Sequence, residues 1–505
     1  MNVVTRIAPS PTGDPHIGTA YIGLFNYVFA KRHGGRFILR IEDTDRSRYN
    51  ALSEERILAM MDWLGLDPDE STAVGGPHSP YRQSERLDLY REHVDRLLKE
   101  DKAYRAFETA EELEEMRNEQ KRKGLDPGYD GRSRCLSSQE SDDRAASGEP
   151  FVVRLKTPLD GTTRVVDALR GEITFDNREV RDVVLLKSDG YPTYHLAAVV
   201  DDHLMGVTHV IRAEEWITST PIHTLLYQAF SWETPVFVHM PLLRNPDETR
   251  TKLSKRKLDT SVDSYREQGI IPEALLNYLA LMGWSMPDGR EFFSLQEMIG
   301  AFSLDRISLG APVFDPKKLR FMNAKYLRDL IPLENLTRRV KTLFESAGFA
   351  WEDDDYLLDI VDVLRPRVET LNDFVAHAGY FFEDDFSYDD QAKKKLASGQ
   401  KYLEDLEREF SMLEFFDYDS VDDLVHDYVQ EQGVGMGKVL QPLRAALTGR
   451  AQAPSVTDLL VILGKRKVMQ RIGRALSYIN AGLPDDKPQR PEKAKNATKT
   501  RHEAA

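Results

Sequence analysis

Between Val3 and Thr19 the chain reads Val3-Val4-Thr5-Arg6-Ile7-Ala8-Pro9-Ser10-Pro11-Thr12-Gly13-Asp14-Pro15-His16-Ile17-Gly18-Thr19 and runs into a mostly apolar helical stretch, Ala20 to Ala30. A histidine thus stands at a helix mouth, where unbonded N–H groups and the helix dipole favour negative charge, phosphate above all. Pro9, Pro11 and Pro15 fix φ and stiffen the approach. Gly13 and Gly18 allow backbone to come near a ligand where a Cβ would collide. Far downstream, Thr251-Lys252-Leu253-Ser254-Lys255-Arg256-Lys257 sets four cations in six residues around a serine. Such a run on its own is most simply a solvated basic loop. Its pairing with a helix-mouth histidine makes phosphate binding the competing reading.

The elements around these residues read as a doubly wound α/β fold. The β-branched start of the chain is a strand, followed by a rigid loop and a helix, the order that opens a nucleotide-binding half. Arg36 to Ile41 alternates like a strand and delivers Glu42-Asp43-Thr44-Asp45 to its C-terminal end, where ligands of such sheets sit. A helix follows from Ser53, its expected cap, to Leu64. Gln83 to Lys102 is amphipathic. From Tyr104 to Ser188 the texture changes to a polar helix, a turn at Pro127 to Arg132 and short strands, as in an inserted α+β domain. The sheet resumes with the helix-like Tyr191 to Asp202, the strand His209 to Arg212, a helix at Thr220 to Phe230 and the strand Val236 to Met240. Beyond the basic loop, Pro272 to Trp284 and Leu319 to Leu330 are helical, and everything after Leu333 reads as helix.

The expected organisation is therefore a parallel, Rossmann-type catalytic domain (1–81 and 190–245) interrupted by an inserted domain (82–189). A connecting region with the basic loop (246–331) leads to two helical domains (332–387 and 388–483). The tail 484–505, rich in Lys, Pro and Ala, has the composition of a disordered segment.

Composition narrows the setting. One cysteine in 505 residues excludes an intramolecular disulfide and points to a reducing compartment. The longest apolar run, Ala274 to Trp284, is too short to span a bilayer, and no signal-peptide pattern opens the chain. These features predict a cytoplasmic protein. The net charge of −15 disfavours long-range attraction of nucleic acid without excluding local basic patches.

His16-Ile17-Gly18-Thr19 and Lys252-Leu253-Ser254-Lys255-Arg256 together resemble the HIGH-type and KMSKS-type signatures of class I aminoacyl-tRNA synthetases. The run Arg6 to Gly13, with Arg40-Ile41-Glu42-Asp43-Thr44-Asp45, is similar to the bacterial glutamyl branch in particular. The resemblance covers at least the first 330 residues. It implies activation of L-glutamate by ATP with Mg²⁺, then transfer to the 3′-terminal adenosine of tRNA(Glu), with tRNA(Gln) as an alternative acceptor. It also implies a monomer, an insertion that grips the tRNA acceptor end and a helical half that reads the anticodon.

Residue by residue, the resemblance assigns His16, Gly18, Lys252, Ser254 and Lys255 to ATP, with His16, Lys252 and Lys255 acting on the phosphates. It assigns Arg6, Ala8, Ser10, Glu42, Tyr194 and Arg212 to glutamate. The chemistry agrees: two carboxylates and one ammonium want two guanidinium forks and one anion. The backbone N–H groups near Gly18 are expected to assist at the phosphates. Arg365 and Arg367 are candidates for an anticodon base. Two departures stand out. Alanine fills position 198, where some relatives have asparagine. Ala106 and Glu108 occupy positions where some relatives carry zinc-binding cysteines; Cys135 alone cannot build a thiolate site, so no metal site is expected. Three other readings compete: a glutaminyl enzyme, disfavoured by the glutamyl-type loop and the helical C-terminal half; a truncated tRNA-modifying paralogue, disfavoured by length; and a catalytically dead RNA-binding paralogue, disfavoured by the intact His16, Lys252 and Lys255.

Overall fold

The structure, a computed structural model, describes residues 2–248, 250–253 and 259–483. Ser254, Lys255 and the tail from Pro484 lie outside the described residues. Among the described residues the strands are β1 (Val4–Ile7), β2 (Arg36–Leu39), β3 (Ala103–Ala106), β4 (Val152–Leu155), β5 (Thr162–Asp167), β6 (Gly171–Asp176), β7 (Val184–Leu186), β8 (His209–Ala213) and β9 (Val236–Met240).

β1 and β2 pair in parallel from Val4↔Arg36 to Ile7↔Leu39, joined by the helix Ile17–Arg32. That helix has apolar residues around its whole circumference, and Ile17, Ala20, Leu24, Phe25 and Val28 are fully buried. A helix of this kind belongs inside a core rather than on a surface. It packs on β1 and β2 and against the helix Pro272–Gly283. β8 and β9 run parallel, and Thr208 N–H donates to Val4 O at 3.0 Å, which sets β8 beside β1. The C-terminal ends of β1 and β8 thus open side by side.

The inserted span divides between two sheets. β3, β4 and β7 form an antiparallel sheet of their own, flanked by the polar helices Ala110–Arg122 and Ser138–Ala146. The β5–β6 hairpin instead joins the catalytic sheet, in the order β6-β5-β9-β8, with Asp167 opposite Phe237. A second difference from expectation is local. The helix Ala51–Leu64 starts at Asn50, whose side-chain oxygen accepts from Leu52 N–H at 3.0 Å, whereas Ser53 is buried inside the first turn. Asparagine is as good a cap as serine, and here it lies one turn nearer the loop.

Met1–Met322 form one compact unit and the chain from Asn323 a second. Among its described residues the second unit contains helices and no strand. Leu336, Val340 and Phe344 recur at i, i+4 spacing and are wholly buried. Where the helices Asp390–Met412 and Met436–Thr448 meet, a Cβ on Gly399 would fall 2.1 Å from Pro442 Cγ, so only glycine permits that approach. No described helix in either unit is long and apolar enough to cross a membrane.

Candidate active site

The ends of β1 and β8, the mouth of the first helix and the start of the basic loop enclose a cavity of about 310 Å³. Arg6, His16, Glu42, Tyr194, Arg212 and Lys252 line it, and Ala8 and Gly18 complete part of its wall. Ser10 lies in an adjoining groove that shares Ala8, Glu42, Tyr194 and Trp216 with the cavity.

His16 caps the helix Ile17–Arg32, and its Nδ1 accepts the Gly18 N–H at 2.9 Å. A ring nitrogen that accepts carries no proton, so Nε2 is the protonated, donating nitrogen. A Cβ on Gly18 would sit 3.0 Å from that Nδ1, a tight contact that would push the ring by a few tenths of an ångström. The first amides of the helix are not open to a ligand, contrary to expectation. Ile17 N–H donates to Thr260 O at 2.7 Å, Gly18 N–H to His16, and Thr19 N–H to His16 O at 2.8 Å. The amides thus orient the imidazole and set its tautomer.

The Ile17–Thr260 bond also ties the first loop to the exit of the basic loop. Val262 N–H donates to Pro15 O at 3.0 Å, and His16 bridges Ser261. At the loop entrance Leu253 N–H donates to Leu243 O at 2.9 Å, and Asn245 Nδ2 to Lys252 O at 3.0 Å. Lys252 is thereby anchored by its backbone while its exposed ammonium pairs with Glu215 on the cavity wall.

Arg6 and Glu42 belong to a buried charge network. Arg6 Nε donates to both oxygens of Asp202, at 3.1 and 3.3 Å, and its terminal nitrogens have no partner among the described residues. Arg40, fully buried, donates to Asp202 at 2.7 Å and to Glu42 at 3.2 Å and faces Asp201 at 3.7 Å. Arg86 closes the network on Asp201 at 2.7 Å. Burial opposes the charge of Asp202, but Arg6 and Arg40 outweigh it and hold its pKa below the ordinary value. At Glu42 burial wins, and the pKa is raised.

Arg212 is equally buried, yet no carboxylate among the described residues pairs with it. Its Nε donates to His239 Nε2 (3.1 Å), Nη1 to Tyr194 Oη (3.0 Å) and His223 Nδ1 (3.2 Å), and Nη2 to Thr220 Oγ1 (2.9 Å) and Trp216 O (3.3 Å). The two guanidiniums thus differ: Arg6 has terminal nitrogens without a partner among the described residues, whereas every N–H of Arg212 has a neutral acceptor. Tyr194, accepting from Arg212, turns its own O–H elsewhere, and burial raises its pKa so that the proton stays. Tyr21 adds a buried hydroxyl to the cavity wall with no partner among the described residues. Asp202, Arg40, Trp216, His223 and His239 were not singled out by sequence; Asp202, His223 and His239 meet their arginines only across distant segments.

Ala198 is buried in the helix Tyr194–Leu204 and does not line the cavity. At the position of the alternative cysteines, Glu108 accepts from Ser133 Oγ at 2.6 Å and Tyr129 Oη at 3.1 Å. Cys135 is exposed, and no group of three or more His, Cys, Asp or Glu among the described residues is placed to hold a metal. Arg365 and Arg367 share one turn after the helix Asp354–Leu364; Arg365 pairs with Asp362 at 2.9 Å, and Arg367 is exposed.

A helix-mouth histidine and a loop lysine on one cavity of a parallel sheet define a class I nucleotide-activating domain. In agreement, a family model described as the catalytic domain of tRNA synthetases class I (E and Q) matches residues 2–321, and one described as an anticodon binding domain matches 325–476. The chain belongs to the class I tRNA synthetase family of the E and Q type. A relative from Thermus thermophilus, named glutamate–tRNA ligase, is 57% identical over 475 residues, covering 94% of this chain and 100% of the relative. One of the same name from Deinococcus radiodurans is 49% identical, covering 94% and 98%. A crystal structure of a glutamate tRNA ligase from Elizabethkingia meningosepticum, in complex with its amino acid, is 37% identical with a TM-score of 0.87, covering 94% of this chain and 99% of that one.

Proposed function

We propose that the chain is a glutamate–tRNA ligase that forms glutamyl-adenylate and pyrophosphate from L-glutamate and ATP, then esterifies the 3′-terminal adenosine of tRNA(Glu). The observation that carries this reading is the charge of the cavity. Two guanidiniums line it, Arg6 with terminal nitrogens that have no partner among the described residues and Arg212 with neutral acceptors only, against the one acid Glu42, since Glu215 pairs with Lys252. Glutamate, with two carboxylates and one ammonium, supplies the missing negative charge. Its neutral amide, glutamine, does not.

Arg6 offers its terminal nitrogens to one carboxylate; Arg212 supplies charge and Tyr194 the hydrogen bond to the other. Glu42 takes the ammonium. In the first step a glutamate carboxylate oxygen attacks the α-phosphorus of ATP, and pyrophosphate leaves. The barrier lies in bringing like charges together and stabilising charge on the phosphates. His16 Nε2–H donates to the phosphates, and Lys252 exchanges Glu215 for phosphate oxygens. Ser254 and Lys255 join this role by their place in the same motif. ATP brings Mg²⁺ with it. In the second step the adenosine 2′-hydroxyl attacks the adenylate carbonyl, the bond from the acyl carbon to the phosphate oxygen breaks, and AMP leaves; the phosphate of the departing AMP takes up the hydroxyl proton.

The β3-β4-β7 unit grips the acceptor end, and the two helical domains, 332–387 and 388–483, read the anticodon with Arg365 and Arg367. The enzyme acts as a cytoplasmic monomer. The test is glutamate-dependent ATP–pyrophosphate exchange with tRNA(Glu) present. Arg6→Ala is expected to lower kcat/KM for glutamate by about 10²-fold or more while leaving the KM for ATP nearly unchanged. An equal loss for both substrates would overturn the pocket assignment.

A further inference from the structure

Arg212 departs from the usual rule for a buried cation. A guanidinium taken out of water is ordinarily paired with a carboxylate, because the unpaired charge is costly. Arg6 and Arg40 follow the rule through Asp202, and Arg86 follows it through Asp201. Arg212, only 5% exposed, has neutral acceptors for all its N–H groups. Two of those acceptors are imidazoles.

The parallel register of β8 and β9 puts Arg212 directly beside His239. His239 Nδ1–H donates to Asp167 Oδ2 at 2.7 Å, and the same oxygen accepts His239 N–H at 3.0 Å. Asp167 Oδ1 is held by the amides of Leu169 and Arg170, each at 2.9 Å. Asp167 therefore fixes the proton on Nδ1 and turns the bare Nε2 toward Arg212. From the helix Thr220–Ala229, His223 offers Nδ1 to Arg212, which puts its proton on Nε2, facing His195 Nδ1 at 3.3 Å. A proton on either accepting nitrogen would oppose the guanidinium, and burial together with Arg212 lowers the pKa of His223 well below the ordinary value.

We propose that His223 and His239 are positioning residues for Arg212, holding its guanidinium with neutral acceptors so that no carboxylate of the protein bonds it directly and the pocket selects a carboxylate over a carboxamide. This rests on the glutamate-pocket reading above. A carboxylate in either place would hold the guanidinium as firmly and cancel the charge that the substrate has to meet. The selectivity of the cavity lies as much in these two uncharged neighbours as in the arginine.

Isosteric pairs test this, because they differ in charge and not in shape. Asn Oδ1 replaces His223 Nδ1, and Gln Oε1 replaces His239 Nε2. The variants are His223→Asn, His223→Asp, His239→Gln and His239→Glu, assayed by ATP–pyrophosphate exchange with tRNA(Glu) against glutamate and glutamine. The amide variants are expected to keep the preference for glutamate within a few-fold. The acid variants are expected to lose it on the order of 100-fold, through KM for glutamate, with the KM for ATP unchanged. Equal behaviour of acid and amide at a position that folds would overturn the inference, leaving His223 and His239 as packing residues. If one pair fails to fold by circular dichroism, the other pair decides. Wild-type protein that does not distinguish glutamate from glutamine would instead overturn the pocket reading itself.

Discussion

The Gly18 amide donates to Nδ1 of His16, its neighbour two residues back, at 2.9 Å. A helix N-terminus that could have bound phosphate directly uses one of its amides to set a histidine tautomer, and the histidine then presents Nε2–H. A Cβ at position 18 would stand 3.0 Å from the accepting nitrogen, close enough that the ring would have to give by a few tenths of an ångström.

His16→Ala is expected to slow adenylate formation by about 10²–10³-fold, the usual loss for one donor to developing charge. Gly18→Ala should give a smaller loss of the same kind by turning the ring. Single-turnover formation of glutamyl-adenylate measures both; near-normal rates in His16→Ala would contradict the role.

Removing Asp202 leaves Arg6 and Arg40 buried with their shared partner gone. Asp202→Ala is expected to destabilise the catalytic unit by about 3–5 kcal/mol, as for other broken buried pairs. The depressed pKa of Asp202 gives the sign of the pH effect: its contribution is present above the unfolded carboxyl range and is lost as pH falls through the lowered value. Urea unfolding at neutral pH checks the magnitude, and an unchanged midpoint would refute it.

Glu42 runs the other way. Its raised pKa means that the ligand-free fold takes up a proton there above the ordinary 4.5, so its protonated form contributes stability that is lost as pH rises through the raised value. Substrate ammonium requires the ionised form. The kcat/KM for glutamate should therefore fall on the acid side at a pH above the range of the substrate's own carboxyls. Glu42→Gln should remove that part of the acid limb and lower the neutral-pH value about 10–100-fold. A pH profile identical to wild type would rule this out.

Lys252 pairs with Glu215 on the wall of the cavity, an exposed contact that phosphate has to displace. Exposed pairs contribute little, so Glu215→Gln is expected to lower the KM for ATP only about 2–5-fold. A raised KM would show instead that Glu215 serves the bound nucleotide.

What the sequence made legible was local. The strand, loop and helix from Val4 to Arg32 lie in one unbroken stretch, and His16 and Gly18 carry their meaning in their own turn. Arg6, Glu42, Tyr194 and Arg212 were assigned through the resemblance, and charge chemistry agreed with it. Their supports were not legible. Asp202 meets Arg6 across 196 positions, and His239 meets Arg212 only through the register of two parallel strands. For the same reason nothing near Arg212 in sequence announces that its N–H groups have acceptors on other elements. The β5–β6 hairpin was read with the insertion because strand patterns do not say which sheet a hairpin will join. Asn50 displaced Ser53 as a cap because two good capping residues within one turn compete, and tertiary burial decided between them.

The most direct measurement is aminoacylation with labelled glutamate and labelled glutamine, offering purified tRNA(Glu) and tRNA(Gln) separately with ATP and Mg²⁺. The account predicts that glutamate is attached to tRNA(Glu) and glutamine to neither tRNA; glutamate on tRNA(Gln) as well would mark a non-discriminating ligase with the same pocket. Attachment of glutamine, or no charging by folded protein, would contradict it.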